Sequence, residues 1–170
     1  LDARNVDSEG NTISNVHVVD LSDEDNSQYI DFFQDIDTVV HLAYIRRSGP
    51  ALEHFKTEKR NVNMAYNVLR AAYESNVKRV VIASSNHAAD WYEHFLIHNR
   101  KLEMVDPYDL ALSDNFYGWA KASYEHIGFL FACGFPSFQD ASGQETHVAP
   151  VGASRRMGVV NIRIGAPREI

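Results

Sequence analysis

Four short apolar runs, rich in β-branched residues, punctuate this chain, and helix-like periodicity fills the spaces between them. The runs are Val16-His17-Val18-Val19, Thr38-Val39-Val40-His41-Leu42-Ala43, Arg79-Val80-Val81-Ile82-Ala83-Ser84-Ser85 and Gly158-Val159-Val160-Asn161-Ile162-Arg163-Ile164. They are nearly continuous in apolar residues rather than alternating, the pattern of strands covered on both faces. Between them, Leu52, Phe55, Val62, Ala65, Tyr66, Leu69, Ala72 and Tyr73 recur at helical spacing, which predicts a helix over 52–75. A second helix is predicted over 116–133, with Asp114 or Asn115 as N-cap, and a shorter one over 28–33. Strands alternating with helices predict an α/β fold with a parallel sheet built from right-handed crossovers. All four runs are expected to be parallel neighbours in that sheet, with the two long helices on one face.

Two stretches break the alternation. Residues 86–113 form a long connection carrying Trp91, Tyr92, Phe95, Leu96 and Ile97. Part of it is expected to be a short helix, and its place over the C-terminal ends of the strands makes it a candidate substrate loop. Residues 134–157, rich in Gly, Pro, Ser and Gln, are expected to be a surface insertion, partly mobile, at a possible oligomer contact.

Composition narrows the function classes. At 170 residues, 45% of them hydrophobic, the chain can bury one sizeable core, and no apolar run approaches membrane-spanning length. The formal charge of −7 argues against nucleic acid as the main partner. One cysteine, Cys133, excludes an internal disulfide framework and suits a reducing, cytoplasmic compartment. His94 and His98 stand one helical turn apart, but no third ligand is spaced with them, so no metal site is expected.

The chemistry concentrates in Tyr117-Gly118-Trp119-Ala120-Lys121. A tyrosine four residues before a lysine on one helix places the two side chains on the same face. A phenol ionises near pH ~10, too high for a base at neutral pH. An ammonium one turn away favours the phenolate, so such a pair can take a proton from a substrate hydroxyl while hydride leaves the same carbon.

With this pair in place, the chain resembles the extended short-chain dehydrogenases, the group of NAD-dependent epimerases, dehydratases and sugar dehydrogenases. The resemblance is carried in order by Val18-Val19-Asp20-Leu21-Ser22, by Asp37 through Ala43, and by Asn61 with Asn67-Val68-Leu69-Arg70-Ala71-Ala72. It continues through Val77 to Ser85, Tyr117 with Lys121, and Ile162-Arg163-Ile164-Gly165-Ala166-Pro167-Arg168. It implies a doubly wound, Rossmann-like sheet. The family's first strand and its G-x-x-G-x-x-G turn, which cradles the pyrophosphate at a helix N-terminus, have no counterpart here. The expectation is therefore an internal piece of a longer enzyme: a partial NAD-binding domain over 1–170, without the C-terminal substrate domain.

The resemblance also implies roles. Ser85, Tyr117 and Lys121 are the catalytic set, with Ser84 in reserve for Ser85. Cofactor contacts fall to Asp2, Asp20, Leu21, Leu42, Ala43, Asn61, Tyr117 and Lys121. An acid at Asp2 binds the ribose hydroxyls and repels a 2′-phosphate, favouring NAD over NADP, although nearby Arg4 is a possible phosphate partner. Ser84-Ser85-Asn86-His87 and Arg163-Ile164-Gly165 resemble the uronate dehydrogenase branch. That places Ser85, Asn86, His87 and Arg163 at the substrate, Arg163 facing its carboxylate. The expected activity is NAD-dependent oxidation of a sugar or sugar acid by an enzyme that oligomerises with itself when full length. A nucleotide-sugar epimerase or dehydratase and a non-catalytic NAD-binding module are the alternatives. Each residue also has a plainer reading: a strand-end turn for Ser85, a loop histidine for His87, a structural arginine for Arg163, a buried small hydrophobe for Cys133.

Overall fold

The computed structural model describes residues 1–106, 108–134, 142 and 157–165. Three parallel strands form the sheet, β1 (Thr38–His41), β2 (Arg79–Ser85) and β3 (Gly158–Ile164), in the order β1-β2-β3. Val39 lies beside Val80, and Ile82 beside Asn161. Two helices connect them, α1 (His54–Glu74), preceded by a 3-10 turn at Ala51–Glu53, and α3 (Phe116–Cys133). They pack on each other and on the sheet. Ala65, Val68, Leu69 and Ala72 of α1 meet Val80 and Ile82 of the sheet and Ala120, Tyr124 and Phe131 of α3 in one core. Gly128 lets α3 lie close to β3, since a Cβ there would stand 2.8 Å from Val159 Cγ1.

The helix boundaries follow local chemistry. Asn115 is extended and its side chain accepts from the Gly118 N–H, an N-cap for α3. Gly134 ends the helix with φ of 74°, the left-handed conformation that glycine adopts most readily. The segment expected as a helix over 28–33 forms two 3-10 turns, Asn26–Gln28 and Ile30–Phe33.

Two expectations are corrected. The run 16–19 does not join the three-stranded sheet; among the described residues Val18 makes only a single parallel bridge, to Asp2. A cavity of about 310 Å³, lined by Leu1, Asp2, Leu21, Phe33, Val68, the β1 residues Val39 to His41 and the following Leu42 and Ala43, lies between that bridge and β1. Without an adjacent strand there is no ladder to extend, and the segment is held from α1 instead, where Asn67 donates to the carbonyls of Leu21 and Asp23 at 3.0 and 2.9 Å. Nor are the strands covered on both faces among the described residues: Val40, Val160, Ile162 and Ile164 are each about half exposed on the side away from α1 and α3. Most of the stretch 134–157, expected as an insertion, lies outside the described residues, as do Ala166, Pro167 and Arg168.

Candidate active site

The site gathers at the C-terminal ends of the strands. β2 ends in Ser84 and Ser85, and the chain turns at once into short helical segments: a 3-10 turn (Asn86–Ala89), α2 (Asp90–Tyr92) and a π turn (Glu93–Ile97). Ser85 caps the first of these, its hydroxyl accepting from the His87 N–H at 3.3 Å. The first turn of α3 lies directly against this turn. Residue 118 must be glycine there, because a Cβ would overlap the His87 carbonyl oxygen and Ser113 Oγ.

That close approach brings His87 and Tyr117 together, their rings 5.5 Å apart and edge to face. Both line a cavity of about 590 Å³ with Arg47, His54, Asp90, Asn115 and Trp119. The Arg47 guanidinium stands over the Tyr117 ring at 4.8 Å. Lys121, 6% exposed, sits beneath, its ammonium 5.7 Å from the Tyr117 ring centre and 4.7 Å from that of Tyr124. Its Nζ donates to the Ala83 carbonyl at 2.8 Å. Burial lowers its pKa to about 8, against an opposing pull from the Glu58 carboxylate.

Glu58, fully buried on α1, is an acid that sequence reasoning missed. It accepts from Tyr44 Oη at 2.6 Å and from Asn61 Nδ2 at 3.1 Å, with Arg47 at 3.9 Å. Burial and the bond to Glu58 push the Tyr44 phenol well above its usual range. The Tyr44 ring meets Tyr117 edge-on at 5.5 Å, so this network reaches the Tyr117 ring through Tyr44. The Glu58–Asn61 spacing of three on a helix was the available signal.

The expected cofactor residues converge in part. Asp2, Asp20, Leu21, Leu42 and Ala43 share one groove of about 310 Å³ with Tyr44, Ile45 and Met64. Asp20 accepts from the Ser22 hydroxyl and N–H, bonds that hold its carboxyl below the usual range. Asp2 and Asp20 come from neighbouring segments joined by the Asp2–Val18 bridge, and mostly apolar side chains line the rest of the groove. The chain holds no G-x-x-G-x-x-G turn to cradle phosphates. Asn61 is used otherwise: its amide accepts from Ile45 N–H and donates to Ile45 carbonyl and to Glu58, leaving its role as the pin of the 42–45 segment.

The expected substrate residues divide. His87 faces the Tyr117 cavity, whereas Asn86 and Arg163 line a different one, of about 340 Å³, with Glu93 and Asp106. Arg163 was expected to face a carboxylate of the substrate; here its Nε and Nη2 grip both oxygens of Glu125, at 2.8 and 2.7 Å. The bidentate pair ties β3 to α3 and commits two of the five guanidinium N–H groups to Glu125 rather than to a ligand. Burial raises the Glu125 pKa, but bonds from Arg163 and from Ser84 outweigh it and hold the carboxyl low. Ser84 is thereby committed, its Oγ 2.7 Å from Glu125, while the contacts of Ser85 Oγ are all long, 3.3 Å to Asn86 and to the His87 N–H and 3.4 Å to the Ile164 carbonyl. Ser85 is the freer hydroxyl of the two. His94 bonds Asp114 at 2.6 Å, and among the described residues no group of three His, Cys, Asp or Glu side chains could hold a metal. No helix among them is long and apolar enough to cross a membrane.

A parallel α/β sheet with a Tyr-x-x-x-Lys helix against the C-terminal ends of its strands is the architecture of a Rossmann-like domain. The chain belongs to the NAD dependent epimerase/dehydratase family, whose model matches residues 1–130. Among curated relatives, the uronate dehydrogenase of Pseudomonas syringae pv. tomato is 26% identical over 139 residues, covering 82% of this chain and 44% of that protein. Solved structures share the fold, two of them as follows. The glucuronic acid dehydrogenase of Chromohalobacter salexigens has a TM-score of 0.56 at 26% identity, over 75% of this chain and 44% of that one. The UDP-N-acetylglucosamine 4-epimerase of Bacillus cereus has 0.52 at 28% identity, over 68% and 35%. The chain spans less than half the length of the curated relatives it matches.

Proposed function

We propose that the chain carries the catalytic face of an NAD-dependent dehydrogenase acting on a sugar or sugar acid. The observation that carries this reading is Tyr117 standing between His87 and the buried ammonium of Lys121 in a cavity of about 590 Å³. Bound NAD supplies the hydride acceptor. Tyr117 takes the proton of the substrate hydroxyl as the carbonyl forms, and the Lys121 charge stabilises the phenolate state that does so. Ser85 offers its loosely held hydroxyl to the reacting oxygen. Asp2 and Asp20 would hold ribose hydroxyls of the cofactor. The similarity to uronate and glucuronic acid dehydrogenases supports an acidic sugar as substrate, and we place the enzyme in the cytoplasm as a homo-oligomer. The similarity to a UDP-sugar epimerase supports a second reading, in which the same tyrosine acts on a nucleotide sugar and NAD is retained.

The test is NAD reduction by the intact protein against uronates, neutral aldoses and nucleotide sugars. Net NADH formation with uronates supports the first reading. Isomerised nucleotide sugar without net NADH supports the second. Tyr117→Phe is expected to remove most of kcat while leaving NAD affinity nearly unchanged, because only the proton acceptor is lost; wild-type turnover in that variant would sink both.

A further inference from the structure

His87 and α3 share one anchor that neither the family match nor the Tyr–Lys pair accounts for. Asp90 is 3% exposed. Its Oδ2 lies 2.7 Å from His87 Nδ1 and 2.8 Å from Asn115 Nδ2. Asn115 in turn caps α3 through the Gly118 N–H at 3.0 Å. One buried carboxylate oxygen thus joins the turn that carries His87 to the helix that carries Tyr117.

A carboxylate accepts hydrogen bonds and donates none. A neutral imidazole facing it therefore keeps its proton on Nδ1, and the lone pair falls to Nε2. His87 Nε2 has no hydrogen-bond partner among the described residues, the side chain is half exposed, and the ring borders the Tyr117 cavity. An acceptor nitrogen in that position complements a hydroxyl of the bound ligand.

We propose that Asp90 is a positioning residue: it locks His87 in the Nδ1–H tautomer, so that Nε2 accepts a hydrogen bond from a hydroxyl of the sugar adjoining the carbon oxidised at Tyr117. The identity of that ligand rests on the dehydrogenase reading above; the tautomer does not. Substituting Ala for Asp removes the acceptor that holds the proton on Nδ1, so the proton is free to move to Nε2. In that form Nε2 meets the hydroxyl as a donor.

Nitrogen-15 NMR of histidine-labelled intact protein, above the titration range of histidine and without substrate, tests the tautomer directly. The expected wild-type spectrum shows His87 Nε2 unprotonated, shifting toward the protonated form in Asp90→Ala. A protonated Nε2 in the wild type overturns the proposal whatever the substrate, and this arm decides the matter even if Asp90→Ala fails to fold. The kinetic arm is a double-substitution cycle. Asp90→Ala is expected to raise KM for the sugar about tenfold, the worth of one hydrogen bond, with a smaller change in kcat. In a His87→Ala background it is expected to add little, because Asp90 acts through His87. Additive effects would mean that Asp90 only supports the fold, and would overturn the positioning role. If no sugar is turned over while the spectrum is as expected, the dehydrogenase reading fails and the Asp90–His87 lock stands.

Discussion

Lys121 holds its charge in a costly place. It is buried under the rings of Tyr44, Tyr117 and Tyr124, with one carbonyl as hydrogen-bond partner, and its pKa falls from the ordinary 10.5 to about 8. Below pH 8 both folded and unfolded chains carry the proton, and the folded state bears the full cost of burying it. Between pH 8 and 10.5 the folded chain has released the proton and the unfolded chain has not, so this group makes stability rise with pH. Lys121→Met removes that dependence. Its stability relative to wild type is expected to be most favourable at pH 7 and to decline by up to about 3 kcal/mol by pH 10.5, at ~1.4 kcal/mol per unit. Denaturant unfolding at several pH values checks it; a constant difference would mean that the amine is solvated. Under the proposed function the same variant is expected to lose turnover as well, the pattern of a group that trades stability for chemistry. Tyr117 and Lys121 were legible in the sequence because their relation is local, four residues on one helix. Asp90 was half legible, three residues after His87, but its bond to Asn115 spans 25 residues and depends on the fold. The Arg163–Glu125 pair escaped notice for the same reason, a partner 38 residues away.

At the scale of elements, local signals served well where an element closes on itself. The N-cap at Asn115 and the stop at Gly134 bound α3 at the positions that the apolar period predicts, and β2 and β3 match their apolar runs end to end. The run 16–19 has the same composition and fails, because a strand is made by its neighbour and its neighbour here is the single residue Asp2. Gly118 belongs to this scale, since it sets how closely α3 approaches the turn after β2. Within a helix, Gly→Ala would ordinarily add up to about 1 kcal/mol through propensity. Here the new Cβ collides with the His87 carbonyl and Ser113 Oγ. The backbone cannot yield as a side-chain tip can, so Gly118→Ala is expected to destabilise by about 1–3 kcal/mol and to cut kcat by pushing Tyr117 away from His87. Thermal melts with steady-state kinetics on the same preparation check both parts. An increase in Tm with full activity would show that the two elements are not in contact as described.

For the whole molecule, the question is what the assembled groove can hold. If the groove takes the cofactor as proposed, Asp2 and Asp20 meet ribose hydroxyls, and Leu21, Leu42 and Ala43 meet ring faces. The phosphates are the costly part of a dinucleotide to bind: they need backbone N–H groups at a helix N-terminus or a free cation. The chain contains no G-x-x-G-x-x-G turn, and Arg60, the cation near Asp20, already donates to Ser22 at 3.1 Å and lies 3.9 Å from Asp20 itself. The formal charge of −7 adds a general repulsion toward anions. These terms act in one direction, so the 170-residue chain is expected to bind NAD only weakly. NADP is expected to bind more weakly still, since its extra phosphate faces the acids at Asp2 and Asp20. Titration calorimetry of the chain with both dinucleotides checks this. Micromolar affinity for NAD would require a phosphate site within these residues and would overturn the assignment of the groove to the ribose and ring portions alone. Equal affinity for NADP would show that Asp2 does not face the 2′ position. Weak binding that strengthens when salt screens the acidic surface would support the repulsion argument, since screening weakens exposed like-charge contacts beyond about 8 Å at physiological ionic strength.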